Sequence, residues 1–305
     1  MFRFIIRRSL WLVLVLFVVL LVTFILMHLT PGGPWDREKA LAPKVIDALN
    51  KRYGLDKPLY EQFVNYVWGV VRGDLGVSYS YADRNVTDIL LRGLPRTATL
   101  GLLAFVLAQA IGIPLGVAAA LKQNSAIDYT SVLFSTIFAS VPGFVLGILL
   151  VIVFSVLLHW FPTSGWGTPQ QLIMPVVCLA ALPAAQSSRI ARASTLEVMR
   201  MDYVRTARSK GLTESVVRVR HIFRNSLIPV VTVAGPELAN LITGSFIIEN
   251  LFAIPGVGRL FVQGVFARDY SLIMGGVLFY AFAIAILNLV VDVLYAAIDP
   301  RIRYD

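Results

Sequence analysis

Residues 129–188 read YTSVLFSTIFASVPGFVLGILLVIVFSVLLHWFPTSGWGTPQQLIMPVVCLAALPAAQSS, a run of 60 residues without Asp, Glu, Lys or Arg. A water-soluble domain cannot keep the surface of such a run hydrated, because charged residues normally make up about a quarter of its sequence. In the whole chain of 305 residues, 57% are apolar and 15% are charged, and the mean hydropathy is +0.74. These values exclude a water-soluble enzyme and an intrinsically disordered chain. They predict an all-α polytopic membrane protein.

Six apolar stretches are long enough to cross the membrane, since a helix needs about 20 apolar residues to cross about 30 Å of hydrocarbon. The first stretch follows Arg3, Arg7 and Arg8, as in a secretory signal peptide. Its apolar part is longer than that of a signal peptide, and no small-residue cleavage site follows it, so we expect a membrane helix. The six predicted spans are about 9–29, 97–121, 129–158, 172–188, 227–248 and 272–298.

The distribution of Lys and Arg predicts the orientation, because short cytoplasmic loops are enriched in these residues. With the N-terminus inside, the segment 189–225 is also inside, and it holds nine Lys and Arg against three acidic residues. The long segment between the first two spans then lies outside, and segments of that length are translocated largely regardless of charge. Both termini are therefore predicted to be cytoplasmic.

These boundaries predict four parts of the chain. Between Gly54 and Pro58 we expect a break that separates short amphipathic helices, which lean on the membrane bundle because they hold too little apolar material for a core of their own. The parts are an N-terminal tail with the first span (1–30), an extracytoplasmic insertion (31–96), a core with spans two to six and the cytoplasmic loop 189–225 (97–298), and a cytoplasmic C-terminal tail (299–305).

No pattern in the sequence predicts a catalytic, metal or nucleotide site. The chain lacks the G-x-x-x-x-G-K-[ST] phosphate loop, H-E-x-x-H and G-x-S-x-G. His28, His159 and His221 fall at different topological positions, and the single Cys178 lies in an apolar stretch, where we expect a buried packing thiol. The net charge of +9 is concentrated on the predicted inner side without an aromatic-interleaved basic groove, so nucleic acid is not an expected partner.

Small residues within the spans predict close helix packing. Gly112 and Gly116, and likewise Gly143 and Gly147, have the small-xxx-small spacing that lets helix backbones approach each other. We favour this packing role over lining of a pore. Pro142 is one of four prolines within or near the spans that we expect to kink their helices.

Two acidic residues fall within the predicted spans. A carboxylate that faces lipid at the centre of a span costs about 2.5–3.5 kcal/mol on insertion scales, so such a group faces protein or water. Asp292 lies near the inner end of the last span, where we expect a structural anchor to Arg301 or Arg303. Glu237 lies nearer mid-span and is the candidate residue of a translocation pathway, with a purely structural partner as the equal alternative.

The cytoplasmic loop contains a predicted helix–turn–helix. A first helix is expected to stop at Gly211, because glycine most easily takes the left-handed conformation that follows a helix end. A second helix is expected after Thr213, with Glu214 favourable in its first turn. Charge alone does not distinguish a rigid cytoplasmic knob from a loop that merely sets the topology.

The sequence YVRTARSKGL at 203–212, with Pro229 eighteen residues after Gly211, resembles the EAA loop of ABC-importer permeases. More narrowly, it resembles the B-type permease of the dipeptide/oligopeptide/nickel family, although Arg205, Thr206 and Ala207 replace the general Glu-Ala-Ala. Gly33 stands where members of the family often carry Asp. Other segments agree in order along the chain: LTPGGP at 29–34, SVPGF at 140–144, ENLFAIPGVG at 249–258, RDY at 268–270 and DPRIR at 299–303.

The resemblance implies a type I ABC-importer-like permease with six transmembrane helices, in the cell (inner or plasma) membrane of a prokaryote. It implies a second, C-type permease, two cytoplasmic ABC ATPases and an extracytoplasmic solute-binding protein as partners, besides membrane lipids. ATP and Mg would be bound by the ATPases, and no cofactor by this chain. The residues implied to couple the permease to an ATPase are Tyr203, Arg205, Thr206, Ala207, Lys210, Gly211 and Leu212.

The expected function is import of di- or oligopeptides, with nickel complexes, glutathione or oligosaccharides as alternative cargo of the same architecture. A self-contained secondary transporter is the alternative of a different class, but it would show half-symmetric, interrupted spans that the sequence lacks. The insertion is expected to help dock the binding protein, because aromatic side chains of this kind anchor interfaces. Its aromatic candidates are Tyr60, Tyr66, Trp68, Tyr79 and Tyr81.

Overall fold

The computed structural model describes residues 2–35, 42–81 and 84–298, and side chains within 6–35, 42–81 and 84–291. The described chain is almost entirely helical, and its β pairing is one isolated antiparallel bridge between Val77 and Asn85. The predicted C-terminal tail (299–305) and the side chain of Asp292 lie outside the described residues, so the proposed anchor between Asp292 and Arg301 or Arg303 has no structural account.

The helices are numbered in chain order. Two of them run on through π-helical turns, Val151–Leu157 after α6 and Val217–Phe223 between α9 and α10. The helices are α1 Phe2–Leu29, α2 Pro43–Tyr53, α3 Leu59–Val71, α4 Val86–Leu121, α5 Ala126–Ser140, α6 Gly143–Leu150, α7 Pro169–Met199, α8 Asp202–Ser209, α9 Glu214–Val216, α10 Arg224–Thr243, α11 Phe246–Leu251, α12 Val257–Phe266 and α13 Tyr270–Ile298.

Five helical stretches in the described part of the chain are long and apolar enough to cross a membrane: Ile6–Leu29, Val86–Leu121, Pro169–Met199, Glu214–Leu251 and Tyr270–Val291. The predicted third span is not one straight helix, because α5 and the stretch Gly143–Leu157 meet at an angle of 102°. Proline lacks an N–H group and disfavours helical backbone in the residue before it. The helix therefore ends before Pro142, with Val141 in extended conformation (ψ 121°). Counted as one crossing, the bent pair completes the predicted six.

One compact unit contains the described residues of Met1–Arg96 and Pro255–Leu289. Its core joins Leu20, Phe24 and Met27 of α1 to Met274 and Leu278 of α13, and the apolar face of α3 packs against this cluster. Gly54 (φ +68°) ends α2 and Pro58 precedes α3. The predicted break in the insertion and its packing on the spans are both confirmed.

The second compact unit contains Thr97–Ile254 and Val290–Asp299, as far as they are described. Its central helix is α7, which packs against α5, α6 and α10. A cluster of alanines, Ala104 and Ala108 of α4 with Ala180 and Ala184 of α7, brings two of these helices close together.

Three of the four glycines with small-xxx-small spacing have close neighbours, and Gly143 does not. A Cβ on Gly112 would lie 2.5 Å from the carbonyl oxygen of Ala184, and a Cβ on Gly116 would clash with that of Ser188. Their predicted packing role is confirmed, and Gly147 likewise faces the Leu251 side chain. The prediction is wrong for Gly143, because no atom lies within 4 Å of its Cβ position. Gly143 begins the helix after the Pro142 bend, and it lines a cavity instead.

Candidate functional site

The helix α8 forms the centre of the predicted coupling segment (203–212). It is fixed by its apolar face, where Val204 and Ala207 are buried against Val217 and Ile222 of the following π-helical turn. Val198 of α7 closes the same small core. Because α8 has only eight residues, it depends on this burial rather than on its own helix propensity. The helix predicted from the sequence is confirmed.

The opposite face of the coupling segment is exposed. Ala207 belongs to the buried face, where it helps to hold α8 in place. Of the seven residues singled out from the sequence, the exposed ones are Tyr203, Arg205, Thr206, Lys210, Gly211 and Leu212.

The turn after α8 has the geometry expected of a glycine helix end. Gly211 has φ +79°, and its N–H donates to the carbonyl of Arg208 at 2.9 Å. The N–H of Leu212 reaches the carbonyl of Ala207 at 3.4 Å, and the next helix begins after Thr213. A Cβ on Gly211 would meet no atom within 4 Å. The backbone conformation, and not a lack of space, therefore favours glycine here.

An ion pair spans this turn. Nε of Arg208 donates to Oε1 of Glu214 at 2.8 Å and so ties the end of α8 to the start of α9. Sequence reasoning missed the role of Arg208, although opposite charges on either side of a helix-ending glycine are a signal that could have indicated it. Arg205 forms a longer ion pair, with 3.8 Å between its Nη1 and Oδ1 of Asp202, and both side chains are highly exposed.

Large apolar side chains in the coupling segment and next to it are exposed. Exposed apolar groups that lie together are typical of a surface that contacts a protein or a membrane. These side chains, with their exposed fractions, are Met201 (41%), Tyr203 (42%), Leu212 (41%), Val216 (39%) and Val219 (67%).

Glu237 lines a cavity of about 540 Å³ in the second compact unit. The cavity walls are mainly apolar, and the lining also includes the polar side chains of Gln186, Asn240 and Ser245. One carboxylate oxygen accepts a hydrogen bond from Nε2 of Gln109 at 3.1 Å. The structure thus places Glu237 at a cavity, with one oxygen held by a hydrogen bond from Gln109.

A relay of polar side chains holds Glu237. Gln109 donates to Glu237, and its own carbonyl oxygen accepts from the hydroxyl of Ser187 at 3.0 Å. Sequence reasoning missed both partners, because a polar residue in an apolar span does not indicate which other span it faces. At the edge of the same cavity, the buried Cys178 donates through Sγ to the carbonyl of Gly143 at 2.9 Å, which confirms the packing thiol.

In the insertion, the aromatic candidates divide by exposure. Tyr60 (73% exposed) and Trp68 (58%) lie on the outer face of α3, together with the exposed Val64 and Val71. Tyr79 packs in a ring cluster, where burial raises its pKa to about 12, and burial also raises the pKa of Tyr66. The fifth candidate, Tyr81, donates its hydroxyl to Gln263 at 3.0 Å. Of the five, Tyr60 and Trp68 are therefore free to anchor a partner.

No group of three or more His, Cys, Asp or Glu side chains that could hold a metal ion occurs among the described residues.

Two family models match consecutive parts of the chain. Residues 112–304 match the binding-protein-dependent transport system inner membrane component, and residues 1–101 match the N-terminal part of such a membrane component. The chain is 40% identical to the oligopeptide transport system permease protein OppB of Haemophilus influenzae over 306 residues, which cover all of both chains. It is 39% identical to the dipeptide transport system permease protein DppB of Bacillus subtilis over 99% of this chain and 98% of that one.

Two solved structures share the fold. An inward-facing form of the MetNI methionine ABC transporter matches with a TM-score of 0.58 and 19% identity, over 69% of this chain and 96% of that chain. A crystal structure of an amino acid ABC transporter with histidines matches with a TM-score of 0.50 and 20% identity, over 71% and 95% of the two chains. At these identities the likeness concerns the fold alone.

Proposed function

The chain belongs to the family of binding-protein-dependent transport system inner membrane components, and we propose that its cargo is di- and oligopeptides. It is a multi-pass inner-membrane permease of an ABC importer. The cargo is inferred from the full-length similarity to permeases named for oligopeptides and dipeptides. In this proposal a second permease completes the pathway, a solute-binding protein delivers the peptide, and two ATPases hydrolyse ATP on the cytoplasmic side.

One observation supports coupling to an ATPase: α8 is packed on one face and exposed on the other. Its buried face is locked on Val217 and Ile222, so a push on the exposed face moves α8 together with the end of α7. Rigid transmission of this kind lets ATP-driven closure of the ATPases change which side of the bundle is open. The exposed side chains of Tyr203, Lys210 and Leu212 are proposed to enter a groove on the ATPase.

The cavity around Glu237 is proposed as part of the peptide pathway. A peptide in zwitterionic form carries a positive N-terminal ammonium group, which a carboxylate attracts. Gln109 and Ser187 fix the carboxylate from behind, so that its second oxygen is left for the cavity. If the role of Glu237 is purely structural, its replacement should lower the uptake of peptides with and without an ammonium group equally.

Glu237→Gln should lower uptake of a free dipeptide about tenfold at subsaturating concentration, since a hydrogen bond to a charged group is worth about 1.5–3 kcal/mol. The measurement is ATP-driven uptake by the reconstituted transporter. An N-acetylated dipeptide lacks the ammonium group, so its uptake should be equal in the wild-type and variant transporters. Equal loss for both peptides would leave only the structural role, and unchanged uptake of the free peptide would contradict the pathway assignment.

The outer face of α3 is proposed to receive the binding protein. Tyr60, Val64, Trp68 and Val71 follow the helical repeat, so they form one exposed apolar stripe on the predicted extracytoplasmic side. Arg72 lies over the ring of Trp68, 4.8 Å from its centroid, and holds the indole in place. A fixed aromatic group of this kind is a typical energetic centre of an interface.

Replacing Tyr60 and Trp68 together by Ala should raise the concentration of binding protein needed for half-maximal ATPase stimulation by about tenfold or more. The basal ATPase rate should stay unchanged, because neither side chain takes part in the packing of α3 on α1 and α13. Tyr129→Ala is the matched control, since it removes an exposed tyrosine (66%) at the predicted cytoplasmic end of a span. If the double variant reached half-maximal ATPase stimulation at the same concentration of binding protein as the wild type, α3 would not be part of the docking surface.

The cargo itself is tested by purifying the transporter through a tag on this chain and supplying the binding protein encoded beside it. Peptide uptake should require ATP and that binding protein. If the binding protein captured a nickel complex, glutathione or an oligosaccharide in place of peptides, the chain would still be an importer permease, but the proposed cargo would be wrong. Uptake by this chain alone would mean that the second permease, the binding protein and the ATPases are not required for transport.

A further inference from the structure

A second cavity, of about 310 Å³, lies between α5 and α7 in the second compact unit. Its lining carries hydroxyl groups and two guanidinium groups, and no carboxylate. The lining residues are Ser131, Val132, Ser135, Thr136, Ser188, Arg189 and Arg192. Neither the coupling segment nor the cavity at Glu237 shares any of these residues.

Two hydroxyl hydrogens in this cavity have no acceptor among the described residues. Ser135 is buried, with 1% of its surface exposed. Its hydroxyl has no hydrogen-bond partner in the described part of the chain. Ser131 and Ser188 share one hydrogen bond of 3.1 Å between their hydroxyls, which uses one of their two hydroxyl hydrogens. A buried hydroxyl without a partner costs about 1–3 kcal/mol, so a ligand that accepts hydrogen bonds would remove this cost.

The charges in the cavity also favour an anion. Arg192 is neutralised by Asp128, to which it donates two hydrogen bonds of 2.6 and 2.9 Å. Arg189 donates one bond of 3.0 Å to the backbone carbonyl of Ser135, and it forms no ion pair with a described residue. One positive charge therefore remains for a ligand with one negative charge and several acceptor oxygens, which describes a phosphodiester.

The cavity lies at the membrane surface in the predicted topology. Ser188 is the last residue of the 60-residue uncharged stretch, and Arg189 is the first charge after it. On the other wall, α5 begins after the loop 122–125, which the topology also places inside. Basic pockets between membrane helices on the cytoplasmic side bind the headgroups of anionic lipids.

We propose that this cavity binds the phosphate of an anionic phospholipid, such as phosphatidylglycerol, from the cytoplasmic leaflet. The phosphate oxygens accept from Arg189, Ser135 and one hydroxyl of the Ser131–Ser188 pair. The bound lipid braces α5 against α7 about three helical turns before α7 ends at Met199. The lipid thereby stiffens the base from which the coupling helix α8 projects.

The test is lipid retention by the purified transporter, measured by native mass spectrometry after titration with phosphatidylglycerol or phosphatidylcholine. The wild-type transporter should retain phosphatidylglycerol in preference to phosphatidylcholine. Arg189→Gln should weaken retention of phosphatidylglycerol about fivefold. Ser135→Ala, which keeps every charge, should weaken it about threefold. Arg200→Gln is the matched control, because it removes an exposed arginine at the end of the same helix, away from the cavity.

Equal retention of the two lipids by the wild-type transporter would overturn the proposal. An equal effect of Arg189→Gln and Arg200→Gln would also overturn it, because it would indicate a general surface charge effect. A third arm adds inorganic phosphate in the millimolar range. Displacement of phosphatidylglycerol by this free phosphate, with phosphate bound in the absence of lipid, would reject the lipid as the source. If Ser135→Ala retained phosphatidylglycerol as well as the wild type does, the proposed hydrogen bond from Ser135 to the phosphate would be wrong.

Discussion

Gly211→Val should abolish ATP-driven uptake while the chain remains inserted in the membrane and folded. Gly211 has φ +79°, a conformation that costs a residue with a Cβ roughly 1–2 kcal/mol, and more when the side chain is branched at Cβ. No atom lies within 4 Å of the Cβ position, so valine is not excluded by a clash. The strain acts on the turn, and relief of the strain reorients α8 relative to the helix that follows Thr213.

The measurement compares uptake, ATPase activity and co-purification of the ATPases for Gly211→Val. Gly211→Asn is the conformational control, because asparagine tolerates the left-handed region, and it should retain most of the activity. Arg205→Ala should change uptake less than about fivefold, since its pair with Asp202 is exposed and weak. Full transport by Gly211→Val would show that the turn does not transmit the motion of the ATPase.

Gly116→Leu should prevent assembly of the second compact unit. Even a Cβ on Gly116 would overlap the backbone carbonyl oxygen of Ser188 and lie 2.9 Å from the Cβ of Ala191. Backbone atoms of a helix cannot turn aside as a flexible side chain can, so α4 and α7 would have to separate. We expect recovery of the folded chain in detergent to fall at least tenfold, because overpacking of a tight contact costs about 1–3 kcal/mol and occasionally more.

The matched control is Gly143→Ala, since no atom lies within 4 Å of that Cβ position. Its recovery from the membrane, measured by size-exclusion chromatography of a fluorescent fusion, should equal that of the wild-type chain. Normal recovery of Gly116→Leu would mean that α4 and α7 do not approach each other at Ser188. Poor recovery of Gly143→Ala would mean that the size of the residue matters at positions without close packing.

Features determined by local sequence were predictable. The length of the apolar stretches predicted where helices cross the membrane, because the thickness of the hydrocarbon sets the length of a span. Gly54, Pro58 and Gly211 predicted helix ends, since each acts through the conformation of its own backbone. The spacing of Gly112 and Gly116 predicted a close contact of helices, although it did not identify α7 as the partner.

Features determined by contacts between distant parts of the chain were not predictable from one sequence. The sequence placed Pro142 at a kink, but the bend of 102° depends on how both arms pack. Hydrophobicity does not indicate which polar residues meet, so the link from Ser187 through Gln109 to Glu237 was missed. The burial of Ala207 likewise depends on the turn of chain that follows it, and a family motif alone does not separate a packing residue from a contact residue.

We expect α8 of this permease to bind an ATPase subunit, and site-specific cross-linking can detect this contact. Cys178 is the only cysteine of the chain and is buried, so Lys210→Cys introduces the one accessible thiol. In the assembled transporter, a short thiol-to-amine cross-linker should join this position to an ATPase subunit. Lys57→Cys, in the predicted extracytoplasmic insertion, should give no such product. Absence of an ATPase adduct from Lys210→Cys in a transporter that still hydrolyses ATP, or an equal yield from Lys57→Cys, would mean that α8 does not bind the ATPase.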